Sequence, residues 1–284
     1  MAQPFSIVDW GNDFPAALAG LLPEGADLAR ALVVFPHQRP RRYLLLALTA
    51  RAAGRPLLAP EIMTVGELVP LLRHRIEGRV LGLAADLDQA GLLAEVVRDL
   101  GATAGPLAKL PPERFFPWGL RLAGLLEELA AHNLAPANLL GLEGQVEDPA
   151  ADILARLSRM ATGLDAQLDA LGLTTPGRDA AWLARHADDA CAALAGRQVV
   201  LAGFHALTGS EDALFRALWR CGAQVVLHTD ARLAGGGEPA HWSCQEHVRW
   251  LEAWKAKAEV AVPAPPGRTQ DLHFHEGYDL HSQL

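Results

Sequence analysis

Three arginines, Arg39, Arg41 and Arg42, follow directly on the apolar run Ala31 to Phe35, which Pro36 ends. A run of that length and β-branched content reads as a buried strand. The loop His37-Gln38-Arg39-Pro40 then opens a helix carrying Tyr43, Leu44 and Leu48. Basic residues in a first helical turn oppose the helix dipole, at a cost of roughly a few tenths of a kcal/mol unless something negative binds. Free backbone N–H groups and guanidiniums together suit an anion. Gln38, Arg39, Arg41 and Arg42, with Thr64 at the next strand-to-helix turn, are therefore candidate contacts to nucleic-acid phosphates. The bland alternative is a solvated helix start with no ligand.

Other chemistry is conspicuous by residue type. His241, Cys244 and His247 form H-x-x-C-x-x-H, and His273, His275 and His281 lie close together near the end, a pattern with transition-metal character. No second Cys/His pair completes a set, so no metal ligand is assigned. The three cysteines, Cys191, Cys221 and Cys244, are odd in number and widely spaced, which argues for reduced thiols rather than a disulfide framework. No catalytic residue is assigned.

A nucleotide triphosphate needs a different apparatus. A P-loop would follow the first strand of a parallel sheet, with glycines, a lysine on the phosphates and a Ser/Thr on magnesium. Here that turn reads Trp10-Gly11-Asn12-Asp13-Phe14-Pro15, and the first lysine of the chain is Lys109. Asp13 would repel phosphate. After the later apolar run Val199 to Ala202, where carboxylates would hold magnesium and a hydrolytic water, stand Gly203 and Phe204. Gly11, Asn12, Asp13, Gly203 and Phe204 thus occupy degenerate motif positions, and an enzyme acting on small nucleotides would lack its phosphate cradle.

The elements that position these residues alternate at both ends of the chain. Phe5 to Val8 reads as a strand, and Asp13 caps a helix through Leu18 and Leu22. Thr64-Val65-Gly66-Glu67 has the form of a capping box opening a further helix. From about residue 81 to 194 only helical stripes appear, the clearest being Ile153, Leu157, Met160, Leu164, Leu168 and Leu171. Strands return at Gln198 to Ala202 and Val225 to Leu227 around a helix opened by Thr208-Gly209-Ser210-Glu211, a β–α–β unit that favours parallel pairing. Gln245 to Ala258 reads as a helix and the proline-rich Val262 to Gly267 as a linker, followed by a strand at Leu272 to Phe274 and a helix start at Asp279. The expected fold class is α/β, a parallel sheet with an inserted all-helical subdomain. Its parts are 1–80 and 195–262 for the sheet, 81–194 for the insertion, and 263–284 for a linker and the start of a following element. The chain reads as the front part of something longer.

Composition agrees with that class: half the residues are hydrophobic, and few are aromatic. The net charge of −8 is unevenly spread, because Arg30 to Arg79 contains nine arginines and three acidic residues, a local +6 in an otherwise acidic chain. No apolar run is long enough to span a membrane and no secretory signal opens the chain, so a cytoplasmic location is expected and no membrane partner.

The segments ALVVFPHQRPRRYLLLAL, LLAPEIMTVGEL, QVVLAGFHALTGSEDALFRAL and AQVVLHTD, in this order, resemble the N-terminal region of AddB-type subunits of helicase–nuclease complexes. More distantly they resemble the first RecA-like domain of superfamily 1 helicases. The shared pattern is an apolar strand, Pro36 and the arginine-rich helix start, then Ala59-Pro60 and Gly66-Glu67-Leu68, and later Gly203-Phe204 with Thr208 and Glu211. The chain departs from it at Gly209, where proline is common. The resemblance implies a RecA-like, P-loop NTPase-like but degenerate sheet. It also implies a role in DNA double-strand-break repair and recombination, binding single-stranded DNA or a helicase/nuclease partner subunit of AddA type. The alternative is a protein-interaction scaffold without direct DNA contact. A PD-(D/E)XK nuclease domain, an exonuclease activity, Mg2+ and an iron–sulfur cluster belong to full-length relatives, and no cofactor is expected in this segment.

Overall fold

The computed structural model describes residues 3–140, 148–239 and 241–265. The expected strand at Leu272 to Phe274, the helix start at Asp279 and the histidines His273, His275 and His281 lie outside the described residues.

In chain order, β1 (Phe5–Asp9), α1 (Phe14–Leu21), β2 (Ala31–Phe35), α2 (Arg39–Ala52), β3 (Glu61–Thr64) and α3 (Val65–Glu77) make the first part. A helical middle follows, with β4 (Gly82–Leu83), α4 (Asp86–Leu100), α5 (Pro112–Ala131), α6 (Pro136–Leu140), α7 (Asp148–Leu171), β5 (Leu173–Thr174), α8 (Pro176–Arg185) and α9 (Ala187–Ala193). The last part contains β6 (Gln198–Ala202), α10 (Gly209–Arg220), β7 (Gln224–Thr229), α11 (Gln245–Trp254) and β8 (Ala258–Val262). Among the described residues six strands form one sheet in the order β3-β2-β6-β7-β1-β8, with every pairing parallel.

A parallel sheet covered on both faces needs strands that are apolar at nearly every position. In β2 the side chains alternate as the pleat requires. Leu32 and Val34 enter one core with Leu68 and Leu72 of α3, Leu183 of α8, and Leu214 and Phe215 of α10. Val33 and Phe35 enter the other with Phe14 and Leu18 of α1, and Leu44 and Leu48 of α2. A third core, with Leu93, Val97, Phe115, Leu126, Leu157, Leu164 and Leu168, belongs to α4, α5 and α7. Leu183, Ala190 and Leu194 join the core of the sheet rather than this third one. Helices α8 and α9 are thus layered on the sheet, and the separate helical core spans Ala84 to Leu173.

Four local readings are corrected. The helical middle contains strands, β4 and β5, paired in parallel as Gly82 with Leu173 and Leu83 with Thr174; two residues are too few to carry a period. The last part of the helical stretch read as running to residue 194 is two helices, α8 and α9, with His186 between them. The helix read as Gln245 to Ala258 stops at Trp254, where Lys255 adopts the left-handed conformation at φ 53°. Ala258–Val262, with Ala258 read as the helix end, Val262 as the linker start and nothing assigned between, is the edge strand β8 beside β1.

Candidate functional site

The carboxyl ends of β1, β6 and β7 converge, because β7 is the one strand between β1 and β6. In an open parallel sheet this edge is where a ligand is expected. Here each group at the edge has a structural task. Asp9, buried at the end of β1, accepts the Gly11 N–H at 3.0 Å with one oxygen and the Ala231 N–H at 3.2 Å with the other, tying the β1 turn to the segment after β7. Asn12 donates to the Asp9 carbonyl and to the Pro263 carbonyl, both at 3.0 Å. Asp13 caps α1 through the Ala16 N–H at 3.1 Å. A Cβ on Gly11 would stand 3.1 Å from the Pro265 ring, so the proline-rich segment after β8 lies across the turn.

Phe14 fills the remaining corner. Its ring stacks on His228 with centroids 4.9 Å apart, and a Cβ built on Gly203 would meet it at 2.9 Å. Gly203 also has φ 68°, a left-handed conformation that glycine adopts without strain. An aromatic ring therefore occupies the space between the turn of β1 and the end of β6. Phe204 packs edge-on to Phe215 at 4.9 Å, and its carbonyl accepts from His247 Nε2 at 2.9 Å, which fixes that tautomer. Burial pushes the His247 and His228 imidazoles below their ordinary range; for His228 the carbonyls of Asn12 and Trp10 pull the other way.

The H-x-x-C-x-x-H residues do not converge. His241 is exposed and accepts from the Ser243 N–H, Cys244 is buried, and His247 is committed to Phe204. Among the described residues no group of three His, Cys, Asp or Glu side chains is placed to hold a metal ion. The Cys191 thiol is pushed up to about 12 by burial and by its neighbour Cys221, the opposite of an activated nucleophile.

Thr208 and Glu211 form a capping box on α10. The departure at Gly209 has a steric cause: a Cβ there would stand 2.4 Å from the His132 carbonyl oxygen at the end of α5. The Gly209 N–H also donates to His132 Nδ1 at 3.3 Å, a bond proline could not make. Ser210 donates to the Ala130 carbonyl at 3.2 Å. These motif positions dock α10 onto the helical layer.

The basic candidates fall together on another part of the same edge. In the β2–β3 register Phe35 lies opposite Thr64, so the N-termini of α2 and α3 are neighbours. Gln38, Arg39, Arg41 and Arg42 are all exposed, and Gln38 precedes the helix without making a side-chain cap. Thr64 and Glu67 close a reciprocal capping box, with the Thr64 N–H on Glu67 Oε2 at 2.7 Å. That backbone hydrogen bond, with Arg41 adding to it, holds the Glu67 carboxyl below its usual range. Arg41 approaches Glu67 at 4.0 Å, whereas Arg39 and Arg42 have no ion-pair partner among the described residues.

Much of the local +6 has other work. Arg51 holds the carbonyls of Ala19, Leu22 and Pro23 at the end of α1. Arg73 is buried between Asp179, Glu77 and Thr174, and Arg79 pairs with Glu77. Sequence reading missed Asp9, Phe14 and Arg73 as organising residues. A cavity of about 290 Å³ between α5, α6, α7 and α8 is lined by leucines including Leu129 and Leu164. Burial raises the pKa of its Asp165, which nonetheless pairs with Arg178 at 2.7 Å.

Among the described residues no helix is long and apolar enough to cross a membrane. Comparison with family models gives no match, and comparison with curated proteins gives none either.

Proposed function

We propose that this chain is a degenerate, RecA-like domain that does not hydrolyse nucleotide and that grips single-stranded DNA passively, as the helicase-like part of an AddB-type subunit in DNA repair. The observation that carries the reading is the Phe35–Thr64 register, which brings Gln38, Arg39, Arg41, Arg42 and Thr64 to one exposed edge from two separate segments. The guanidiniums of Arg39 and Arg42, without an ion-pair partner among the described residues, stand beside two helix N-termini and attract phosphate whatever the net charge of the chain, since charges beyond about 8–10 Å are screened at ordinary salt. The non-hydrolytic half of the reading draws on Phe14 and the segment Pro263–Pro265, which fill and cover the space a triphosphate would need.

The test is anisotropy of a labelled single-stranded oligonucleotide across a salt series. The expected result is binding that weakens steeply with salt and is abolished by joint reversal of Arg39 and Arg42 to glutamate. Absence of salt-sensitive binding by the unaltered chain overturns the DNA-gripping role. A second reading, docking of a motor subunit of AddA type on the helical layer, draws on the exposed Phe116, Trp118 and Leu125 of α5. Co-purification with such a subunit, without DNA binding, favours it.

A further inference from the structure

Resting on that reading, we infer that the open face of α2 is a combined phosphate and base site, with Tyr43 as the residue on which a DNA base stacks. Helix geometry separates the three arginines. At 100° per residue Arg39, Arg42, Tyr43 and Leu46 share one face, opposite Leu44 and Leu48, which are fully buried against the sheet and α1. Arg41 leaves that face and reaches towards Glu67 of α3.

The open face has the components of a single-strand site and, among the described residues, nothing that opposes one. Tyr43 is 55% exposed and Leu46 58% exposed, large apolar surfaces left uncovered by the described residues. Arg39 and Arg42, one turn nearer the sheet edge, have no acidic partner among the described residues. Helix α2 carries four arginines and no carboxylate, and the adjacent α1 carries no charged side chain. Long helical side chains lean towards the N-terminus, so the Tyr43 ring leans over the turn that presents Arg39. A ring beside unpaired guanidiniums complements a polyanion that also offers flat π faces, which describes single-stranded DNA. An acidic protein surface would satisfy the guanidiniums but leave the ring without a stacking partner.

The test compares a labelled oligothymidylate with the same strand carrying abasic positions, on unaltered protein and on variants across a salt series. Tyr43→Ala is expected to weaken binding of the intact strand about tenfold, the worth of one stacked base, without changing the salt slope. Tyr43→Phe is expected to keep wild-type affinity. Arg39→Gln and Arg42→Gln are each expected to lower the slope of log K against log salt by about 0.7, the share of one phosphate contact on a single strand. Arg41→Gln, at a guanidinium already shared with Glu67, is expected to lower the slope less than either. The abasic strand should cost the unaltered protein what Tyr43→Ala costs on the intact strand, and cost the Tyr43→Ala variant nothing further. Salt-sensitive binding indifferent to Tyr43→Ala, or a Tyr43→Ala loss that the abasic strand does not reproduce, overturns the base site while leaving the DNA-gripping role standing. No oligonucleotide binding at all overturns both.

Discussion

At the scale of single residues, the corner shared by Phe14, Gly203 and His228 sets the character of the sheet's front edge. Removing the Phe14 ring leaves a void lined by parts that relax only partially, so Phe14→Ala is expected to cost about 3–5 kcal/mol in urea unfolding. Gly203→Ala forces a Cβ to within 2.9 Å of that ring at φ 68° and is expected to destabilise as well. Because the clash needs the ring, the double variant should lose less than the sum of the singles, and a mutant cycle measures the difference. His228 and His247 give the same edge a pH dependence of definite sign. Both imidazoles are held neutral by burial, their folded pKa values lying below the 6.5 of the free side chain. The unfolded chain therefore takes up protons first, and the stability present above pH 6.5 is lost as the pH falls through the lower folded values. Each histidine can contribute a slope of at most about 1.4 kcal/mol per pH unit. His228→Phe, which keeps an aromatic partner for Phe14, should flatten the loss just below pH 6.5 relative to wild type in denaturant titrations at stepped pH.

At the scale of elements, Arg73 of α3 is the clamp between sheet and helical layer. It meets Glu77 on its own helix at 3.0 Å, Thr174 of β5 at 2.9 Å and Asp179 of α8, and lies 5.3 Å over the Trp182 ring. Taking one partner from a buried pair strands the other, so Arg73→Ala and Asp179→Ala should each cost about 3–5 kcal/mol. The joint replacement Arg73→Met with Asp179→Leu should cost far less, as read from unfolding midpoints. Nothing in the sequence marks Arg73 as buried, since Thr174 and Asp179, which bury it, lie 101 and 106 residues away. What was legible is what local chemistry determines: the apolar runs of β2 and β6, the Asp13 cap, and the boxes Thr64-x-x-Glu67 and Thr208-x-x-Glu211. Edge strand β8 was not legible, because Ala258-Glu259-Val260-Ala261-Val262 is short and half-exposed and follows a helix without a glycine or proline between them. The candidate arginines were visible as a group, but only the direction of α2 relative to the sheet divides Arg39 and Arg42 from Arg41.

At the scale of the whole molecule, the sheet assigns opposite fates to two parts of one edge. At β1, β6 and β7 the front is filled by Phe14, closed by Asp9 and Asn12 and overlaid by Pro263 and Pro265. At β2 and β3 it is open and carries Arg39 and Arg42, which have no counter-ion among the described residues. A ligand that binds only the folded chain stabilises it by mass action, about 2.7 kcal/mol at a hundred times its Kd, which at this size raises Tm by roughly several degrees. Thermal unfolding can therefore weigh the two parts in one assay. Millimolar MgATP is expected to leave Tm unchanged, because Arg232 beside the filled part is already paired with Asp230 and admitting a triphosphate would require expelling the Phe14 ring. A short single strand is expected to raise Tm at low salt and to lose that effect as salt increases, since its phosphates compete with ions for Arg39 and Arg42. A rise with MgATP at any salt would mean that Phe14 yields its place and that the front of the sheet is a nucleotide site after all.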